Sequence, residues 1–320
     1  MADDAVSRST AIMMPNYQTG FTDCMAKKDV EWYWLKKNGC FEPDQGGRAI
    51  EWRARLASGT TFAFLGGMEG HTPTLQNDFE VATLAWAGLA HAFVATYADK
   101  KLCKEKWQII KLLSGLTDNM TTDWRQEWGT QFHSDGTRNA SAYKGLLSSM
   151  DTAAVTYAGL SQSTFANWDC QRVDATGFAA DPANFLQQIV LLCAVGEKGG
   201  RDRNKVDLLL STQNDYRVVC QSEFAKFRYE RDEEMHKAGF ENIMCWGAPL
   251  AWSDFSVAGR LKALNSKLFK MYLAGSDPIE TGTQDPPGFP FGLTQGFAVS
   301  LHQLVNENPR GSGLLYNTTS

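Results

Sequence analysis

Histidine is the side chain best suited to proton transfer and metal binding near neutral pH, so its spacing is the first signal of chemistry. The sequence holds five, namely His71, His91, His133, His236 and His302. No two of them form an HxH, HxxH or HxxxH pair, which would place two ligands on one side of a strand or helix. The histidines therefore predict no local metal site, and we expect no cofactor.

Two short patterns resemble catalytic motifs but lack essential parts. Gly159-Leu-Ser161-Gln-Ser163 is similar to the turn that exposes a nucleophilic serine, yet it has no second glycine and no helical pattern follows it. Asp123 and Glu127 lie one helical turn apart and so have the spacing of a carboxylate pair. Their polar neighbours indicate the solvent-exposed side of a helix instead. We predict no catalytic residue.

Tryptophans and closely spaced arginines offer binding surfaces rather than reactive groups. Aromatic side chains stack on sugars, so a carbohydrate-binding or glycoside-cleaving enzyme is one alternative. The same side chains also serve cores and protein interfaces, and interface use is the more economical interpretation. The candidates for contact with a neighbouring chain are Trp32, Trp34, Arg48, Trp52, Arg53 and Arg55.

Length and composition are those of an ordinary globular protein with one or two domains: 320 residues, 43% hydrophobic and 21% charged. The net charge of -5 and the lack of a strongly basic segment argue against a dedicated nucleic-acid binder. Seven cysteines are spread singly and no export signal is visible, which predicts free thiols in a reducing cytoplasm. No apolar run approaches about eighteen residues, so we predict no membrane span.

The longest predicted helix runs from Asp99 to Phe132, and the other elements must be arranged around it. Its apolar residues recur every three or four positions, as on one face of an α-helix, and are Ile109, Leu113, Leu116, Met120, Trp124, Trp128 and Phe132. Such a helix would be roughly 50 Å long. Threonines and Asp118-Asn119 weaken the segment Thr117–Asp123, so a kink or a break into two helices stays open.

The first part of the chain is predicted to lack a core of its own. Residues 1–38 form a polar arm that ends in a short helix, Asp29–Lys37. Residues 49–56 alternate apolar and polar side chains, which predicts a two-sided strand, and Thr60–Leu65 is the predicted return strand. Residues 39–78 therefore form a projecting hairpin with too little apolar surface to fold alone. We expect such a hairpin to contact a neighbouring chain.

The rest of the chain mixes strands and helices, as in an α+β fold. Phe79–Tyr97 fits a strand or a buried helix, and we favour the strand. Pro182–Val195 is a predicted amphipathic helix with proline in its first turn. The other predicted elements are strands at Val206–Leu210, 239–246, 247–254, Arg260–Leu264, Leu268–Leu273 and Gly296–Val305, a helix at Asn214–Phe227, an acidic turn at Asp232–Glu234 and a loop at Asp277–Gly292.

Several short motifs occur in a fixed order over about residues 80–315. They are Gly145-Leu-Leu, Tyr157-Ala-Gly159-Leu-Ser, Val206-Asp-Leu-Leu-Leu-Ser-Thr, Gly239-Phe with Gly247 and Pro249, and Gln303-Leu-Val with Asn308-Pro-Arg310. In this order and at these spacings they resemble the major capsid proteins of tailed phages. Each motif is short, and the specificity of the resemblance comes from their succession.

The resemblance implies an α+β tailed-phage major capsid fold with four parts. These are an N-terminal arm (1–38), an extended loop formed by a projecting β-hairpin (39–78), a peripheral domain with the long spine helix (79–149 and 291–320) and an axial domain (150–290). The polar arm, the hairpin without a core and the long helix agree with this division. Such appendages are costly in a monomer and useful where neighbouring subunits overlap.

The resemblance also implies a structural function without catalysis. The expected protein self-assembles into hexamers and pentamers of an icosahedral head around double-stranded DNA, which it contacts weakly and without specificity. Expected partners are a portal protein and a separate scaffolding or decoration protein, and no membrane. The expected location is the virion, after assembly in the host cytoplasm. A host-encoded compartment shell of the same fold, which encloses an enzyme, is the close alternative.

One departure from the resembled family concerns covalent crosslinking. Some members join a lysine of the extended loop to an asparagine of a neighbour. Here no lysine lies between Lys37 and Lys100. We therefore expect no such crosslink, and a covalent ladder of mature shells on a denaturing gel would contradict this.

Overall fold

The computed structural model describes residues 24–43, 46–56, 79–96, 106–138, 141–151, 156–165, 167–195, 206–222, 232–284 and 294–319. Residues 24–28 are helical, and the helices that follow are α1 (Val30–Lys37), α2 (Lys106–Phe132), α3 (Leu147–Met150), α4 (Pro182–Val195), α5 (Gln213–Gln221) and α6 (Glu233–Lys237). The strands are β1 (Phe41–Glu42), β2 (Ala49–Arg55), β3 (Phe79–Ala85), β4 (Ala87–Ala95), β5 (Thr156–Tyr157), β6 (Leu160–Ser161), β7 (Gln171–Asp174), β8 (Leu208–Ser211), β9 (Asn242–Cys245), β10 (Ala248–Trp252), β11 (Arg260–Leu264), β12 (Phe269–Leu273), β13 (Glu280–Gln284), β14 (Thr294–Asn306) and β15 (Gly313–Tyr316).

The long helix α2 is continuous over its 27 described residues, which corresponds to about 40 Å. The predicted start at Asp99 lies outside the described residues. The break that the threonines left open does not occur, because their hydroxyls are satisfied within the helix. Thr117 donates to the carbonyl of Leu113 at 2.6 Å, and Thr121 donates to that of Thr117 at 2.9 Å. The predicted apolar face is confirmed where it is described, since Leu113, Met120, Trp124, Trp128 and Phe132 are buried.

Helix α1 packs against this apolar face and closes the core of its own chain. The ring of Trp32 meets those of Trp124 and Trp128 edge-on, with centroids 6.2 and 4.9 Å apart. The indole N–H of Trp34 donates to a carboxylate oxygen of Asp207 at 3.0 Å. Trp32 and Trp34 are only 2% and 3% exposed, so the expectation that they face a neighbouring subunit does not fit the structure. The helix itself is as predicted, and Asn38 ends it.

Two sheets hold most of the strands. One has β1, β12, β14 and β13 in that order, with β4 also paired to β14. The other has the order β7, β15, β11, β8, β10, β9. Helix α4 packs on the second sheet, where Ile189 and Cys193 lie against Gly313 of β15.

This grouping differs from the predicted division of the chain. Strands β12 and β13 belong with β4 and β14, although they were predicted to lie in the axial domain. The last strand, β15, lies inside the second sheet, between β7 and β11, although residues 291–320 were assigned to the peripheral domain. Local patterns contain no signal for the pairing of β14 with β4 or of β15 with β7, because these strands are far apart in sequence.

Two predicted irregular segments are regular in the structure. Asp232 is the N-cap of α6 and accepts hydrogen bonds from the amides of Glu234 and Met235, so the acidic residues begin a helix. Strand β13 lies within the predicted loop Asp277–Gly292 and pairs with the long strand β14. Other predictions hold, since α4, the hairpin of β9 and β10, and strands β8, β11, β12 and β14 lie where the sequence placed them.

Gly145 marks the point where the chain crosses the C-terminal end of α2. The amide of Leu146 donates to the carbonyl of Phe132 at 2.8 Å, so the backbone lies directly against the helix end. A Cβ atom at Gly145 would meet the carbonyl oxygens of Ser134 at 2.6 Å and Phe132 at 2.7 Å. Backbone atoms at a helix end have little freedom to move away, which explains a glycine at this position.

We expect Gly145→Ala to lower the free energy of unfolding by about 1–3 kcal/mol, as for other overpacked sites. Denaturant unfolding measures this change. Gly115→Ala is the matched control, because a Cβ atom there meets nothing within 4 Å and the residue lies inside α2. That control should be stabilised by up to about 1 kcal/mol through helix propensity. Equal effects of the two substitutions would contradict the proposed crowding.

Candidate functional site

The base of the predicted projecting hairpin is a two-stranded ribbon of β2 and β3. The strands are antiparallel, and their register runs from Ala49 opposite Ala85 to Arg55 opposite Phe79. The predicted return strand Thr60–Leu65 lies outside the described residues. The described partner of β2 is β3, which follows residue 78. The hairpin therefore extends beyond its predicted end at residue 78.

The inner side of this ribbon is anchored on the body of the chain. Ile50, Ala54 and Leu56 are buried, as the alternating pattern predicted, and they pack in one cluster with Trp168 and Val305. The side-chain amide of Asn167 donates to the carbonyl of Leu56 at 3.0 Å, and the amide of Thr83 donates to that of Ala158 at 3.0 Å. The hairpin base therefore shares a core with the body, and it has a fixed position.

The outer side of the ribbon carries Glu51, Arg53 and Arg55 next to exposed apolar area. Arg53 lies directly opposite Val81, and Arg55 lies opposite Phe79. Val81 and Phe79 are 56% and 54% exposed. No ion pair or hydrogen bond of Arg53 or Arg55 is found among the residues that the structure describes. Arg48 is exposed as well. These side chains are available to a partner surface.

A cleft of about 410 Å³, which we call the hairpin-base cleft, is lined by residues of the ribbon and of the body. It is lined by Trp52, Arg53, Arg55, Trp168, Lys267, Leu268, Glu307 and Asn308. Three of these residues were predicted contact residues. The other five come from three segments far apart in sequence, so their spacing gives no signal that they belong together.

The hairpin-base cleft has an excess of positive charge over an aromatic floor. Its cations are Arg53, Arg55 and Lys267, and its carboxylate is Glu307. Glu307 is already engaged, because it pairs with Lys270 at 3.2 Å and accepts from the Tyr272 hydroxyl at 3.2 Å. The rings that form the floor lie against each other. The centroid of Trp168 is 6.4 Å from that of Trp52 and 6.0 Å from that of Tyr157.

A second polar feature is a buried chain of titratable groups that joins α1, the end of α2 and β11. The Glu31 carboxylate is 2.7 Å from Nε2 of His133, and Nδ1 of His133 is 2.9 Å from Nζ of Lys262. All three side chains are at most 2% exposed. Asp29 and Arg125 form a neighbouring pair between α1 and α2, with an Oδ1 to Nε distance of 2.7 Å.

Burial and neighbouring charges shift the pKa values of this chain strongly. Burial and the Lys262 charge lower the pKa of His133 to about 4, and burial lowers the pKa of Lys262 to about 7. Burial alone would raise the pKa of Glu31, but the hydrogen bonds from His133 and Ser253 and the attraction to His133 together outweigh burial and hold the pKa below its usual value. Burial raises the pKa of Asp29 to about 7. This buried chain ties three elements together and lies apart from the hairpin-base cleft.

No protein-family model and no curated protein matches the chain. Solved structures do match it. The cyanophage A-1(L) capsid has a TM-score of 0.60 and 18% identity, over 86% of this chain and 89% of that chain. The capsid of Myoviridae phage XM1 has a TM-score of 0.54 and 12% identity, over 88% and 91%. The chain has the tailed-phage capsid fold. It is also similar to the holo-SrpI encapsulin complex of Synechococcus elongatus, with a TM-score of 0.51 and 11% identity, over 90% and 88%.

The tailed-phage capsid fold gives the elements their usual names. Helix α2 is the spine helix, and the ribbon of β2 and β3 is the base of the extended loop. The fold class and the spine helix predicted from sequence are confirmed. Of the predicted contact residues, Arg48, Trp52, Arg53 and Arg55 lie at the base of the extended loop, whereas Trp32 and Trp34 lie in the core.

Residues considered for catalysis have other roles in this capsid fold. Asp123 lies 3.3 Å from the His91 ring, and Glu127 pairs with Arg138 at 2.7 Å, so the two carboxylates do not share one site. The Ser161 hydroxyl is hydrogen-bonded to that of Ser163 at 2.9 Å.

The described residues provide neither a metal site nor a membrane-spanning helix. They contain no group of three or more His, Cys, Asp or Glu side chains that could hold a metal ion. Within the same ranges, no helix is long and apolar enough to cross a membrane. The described cysteines, which are Cys24, Cys40, Cys170, Cys193, Cys220 and Cys245, are free thiols.

Proposed function

We propose that this chain is a major capsid protein, which self-assembles into hexamers and pentamers of an icosahedral phage head around double-stranded DNA. The observation that carries the proposal is the likeness to capsid subunits, which spans nearly the whole of this chain and of theirs. The extended-loop base adds support, because it presents exposed apolar and unpaired charged side chains together. The protein is a structural component of the virion, assembled in the host cytoplasm, and its function requires no catalysis and no cofactor.

Assembly by this proposal rests on many weak contacts. Exposed ion pairs usually contribute under about 1 kcal/mol each, so their repetition around a closed shell supplies the stability. The arm, the extended loop, the peripheral domain and the axial domain become the four parts of each subunit in the shell, with β12 and β13 grouped with β4 and β14, and with β15 in the second sheet. A portal protein occupies one vertex, and scaffolding or decoration is supplied by separate proteins.

In the proposed shell, the protein contacts packaged DNA only weakly. Strong non-specific DNA binding requires many Lys and Arg side chains against phosphates, and this chain has 31 basic and 36 acidic residues. A weakly binding inner surface lets the genome move during packaging.

The close alternative is a host-encoded compartment shell that encloses an enzyme. The similarity to the Synechococcus elongatus encapsulin complex supports this alternative. Neighbouring genes separate the two functions. A portal, a large terminase and a protease accompany a phage capsid gene, whereas a cargo enzyme accompanies a compartment shell.

The decisive first experiment is the mass of the purified full chain in solution. Sedimentation velocity should show closed or partly closed particles of megadalton size, which negative-stain microscopy then shows to be hollow. A stable 35.5 kDa monomer that hydrolyses a glycan would overturn the proposal in favour of the carbohydrate-active alternative.

A further inference from the structure

We propose that the hairpin-base cleft receives a carboxylate-bearing, extended segment of a second copy of this chain. The inference rests on the proposed shell function and adds the chemistry of one contact. Its basis is the combination of two arginines without an ion pair among the described residues, an engaged carboxylate and exposed apolar neighbours in one place.

The arginines have a spacing that suits an extended partner. Arg53 and Arg55 are alternate residues of β2, so their side chains leave the same side of the strand at about 6.8 Å separation. Carboxylates at alternate positions of an extended segment have the same separation. Arginine binds a carboxylate through two parallel N–H···O bonds, which fixes its orientation as well as its distance. Lys267 also lines the cleft and adds a third positive charge.

Charge complementarity favours a second copy as the partner. The cleft has no uncommitted carboxylate, because Glu307 already pairs with Lys270 and Tyr272. The whole chain has a net charge of -5, so the surface outside the cleft is negative on average. One copy therefore offers the positive cleft and another offers carboxylates, and the contact repeats from subunit to subunit.

The surroundings of the arginines favour a protein over a nucleic acid. Phe79 and Val81 are more than half exposed beside them, and a protein partner is able to bury this apolar area. A phosphate backbone has no apolar surface that could cover Phe79 and Val81. Single-stranded nucleic acids bind through bases stacked on open aromatic faces. The rings of Trp52 and Trp168 instead lie against each other and Tyr157.

Photo-crosslinking in assembled particles tests the identity of the partner. A benzophenone amino acid replaces Lys267, which lines the cleft and is exposed. Particles are assembled from a mixture of ¹⁵N-labelled and unlabelled chains, and mass spectrometry identifies the crosslinked peptides. We expect mixed-isotope crosslinks to a peptide with Asp or Glu at or next to the crosslinked residue. Crosslinks confined to one chain, to DNA or to a segment without acidic residues would overturn the inference, and so would their absence.

Charge reversal provides the second test. We expect Arg53→Glu with Arg55→Glu to lower the assembled fraction at least about tenfold, because like charges then oppose each other in the cleft. Arg53→Lys with Arg55→Lys is the matched control and should keep most of the assembly. If the wild-type chain forms no particles, the proposed function fails. If wild-type and charge-reversed chains assemble equally, the shell function stands and this inference alone is wrong.

Discussion

Replacing residues 57–77 with Asn-Gly abolishes particle assembly and leaves a folded, soluble monomer. Strands β2 and β3 remain, so the hairpin base still covers Trp168 and Val305. Asn-Gly forms the two-residue turn whose twist matches paired strands, and it joins them between Leu56 and Asp78. By the proposed function, residues 57–77 contribute contact with a neighbouring subunit, and the variant lacks them. Sedimentation velocity measures assembly, and thermal unfolding measures the fold.

The position of the deletion decides what this experiment tests. A deletion that also removed β2 would expose the core residues that Ile50 covers, such as Trp168 and Val305. If such a variant failed to assemble, the failure would say nothing about the extended loop. A Gly/Ser segment of the same length in place of residues 57–77 is the control for chain length. Normal particles from the Asn-Gly variant would refute the role proposed for the extended loop.

Replacing Glu31 with alanine lowers the free energy of unfolding by about 3–5 kcal/mol near pH 7, because it leaves buried polar groups without their partner. His133 loses its hydrogen bond, and the nearby Lys262 loses an attractive charge. Denaturant unfolding of the Asn-Gly monomer measures the change without interference from assembly. The matched control is Glu127→Ala, which removes a partly exposed ion pair with Arg138 and should cost under about 1 kcal/mol. Equal losses would contradict a special role for the buried chain.

The same buried chain makes stability depend on pH in a defined direction. The pKa of His133 is about 4 in the folded state and 6.5 ordinarily, so the unfolded state binds the extra proton between these values. Stability therefore falls as pH decreases from 6.5 to 4. The pKa of Lys262, about 7 instead of 10.5, has the same effect as pH decreases from 10.5 to 7. Asp29 acts oppositely, because its pKa of about 7 favours the folded state as pH falls from 7 to 3.8.

Lys262→Met isolates one part of this dependence. The groups that act on Lys262 are His133, Glu31, Arg260 and Asp215, and all of them remain in the variant. Wild type should lose stability relative to the variant as pH is lowered from 10 to 7. Comparing the two proteins cancels the contributions of cysteines and tyrosines. If the free energies of unfolding of wild type and variant changed with pH in parallel, burial would not lower the pKa of Lys262 as described.

The spacing of apolar residues predicted most helices and strands, because a helix and a strand each place side chains on one face at a characteristic interval. The spacing of Met120, Trp124 and Trp128 identifies one helix face, and the alternation in residues 49–56 identifies the two sides of β2. Periodicity says which residues share a face and nothing about what covers that face. Trp32 looked like an interface residue for this reason, and it covers α2 of its own chain.

The site was predictable only in part for the same reason. Arg53 and Arg55 were identified because they alternate with apolar residues on one strand. Lys267 and Asn308 join them through the pairing of distant strands, which no local pattern encodes. The buried position of Lys262 was equally invisible, because its segment has the pattern of an ordinary strand and lysine is rarely buried.

The central claim is that copies of this chain overlap in a closed shell, and a cryo-electron microscopy reconstruction of the purified wild-type protein tests it most directly. We expect a closed particle with subunits around five-fold and six-fold axes, in which each extended loop lies on an adjacent subunit. A population of single 35.5 kDa chains at every concentration, or particles whose extended loops contact no neighbour, would contradict it.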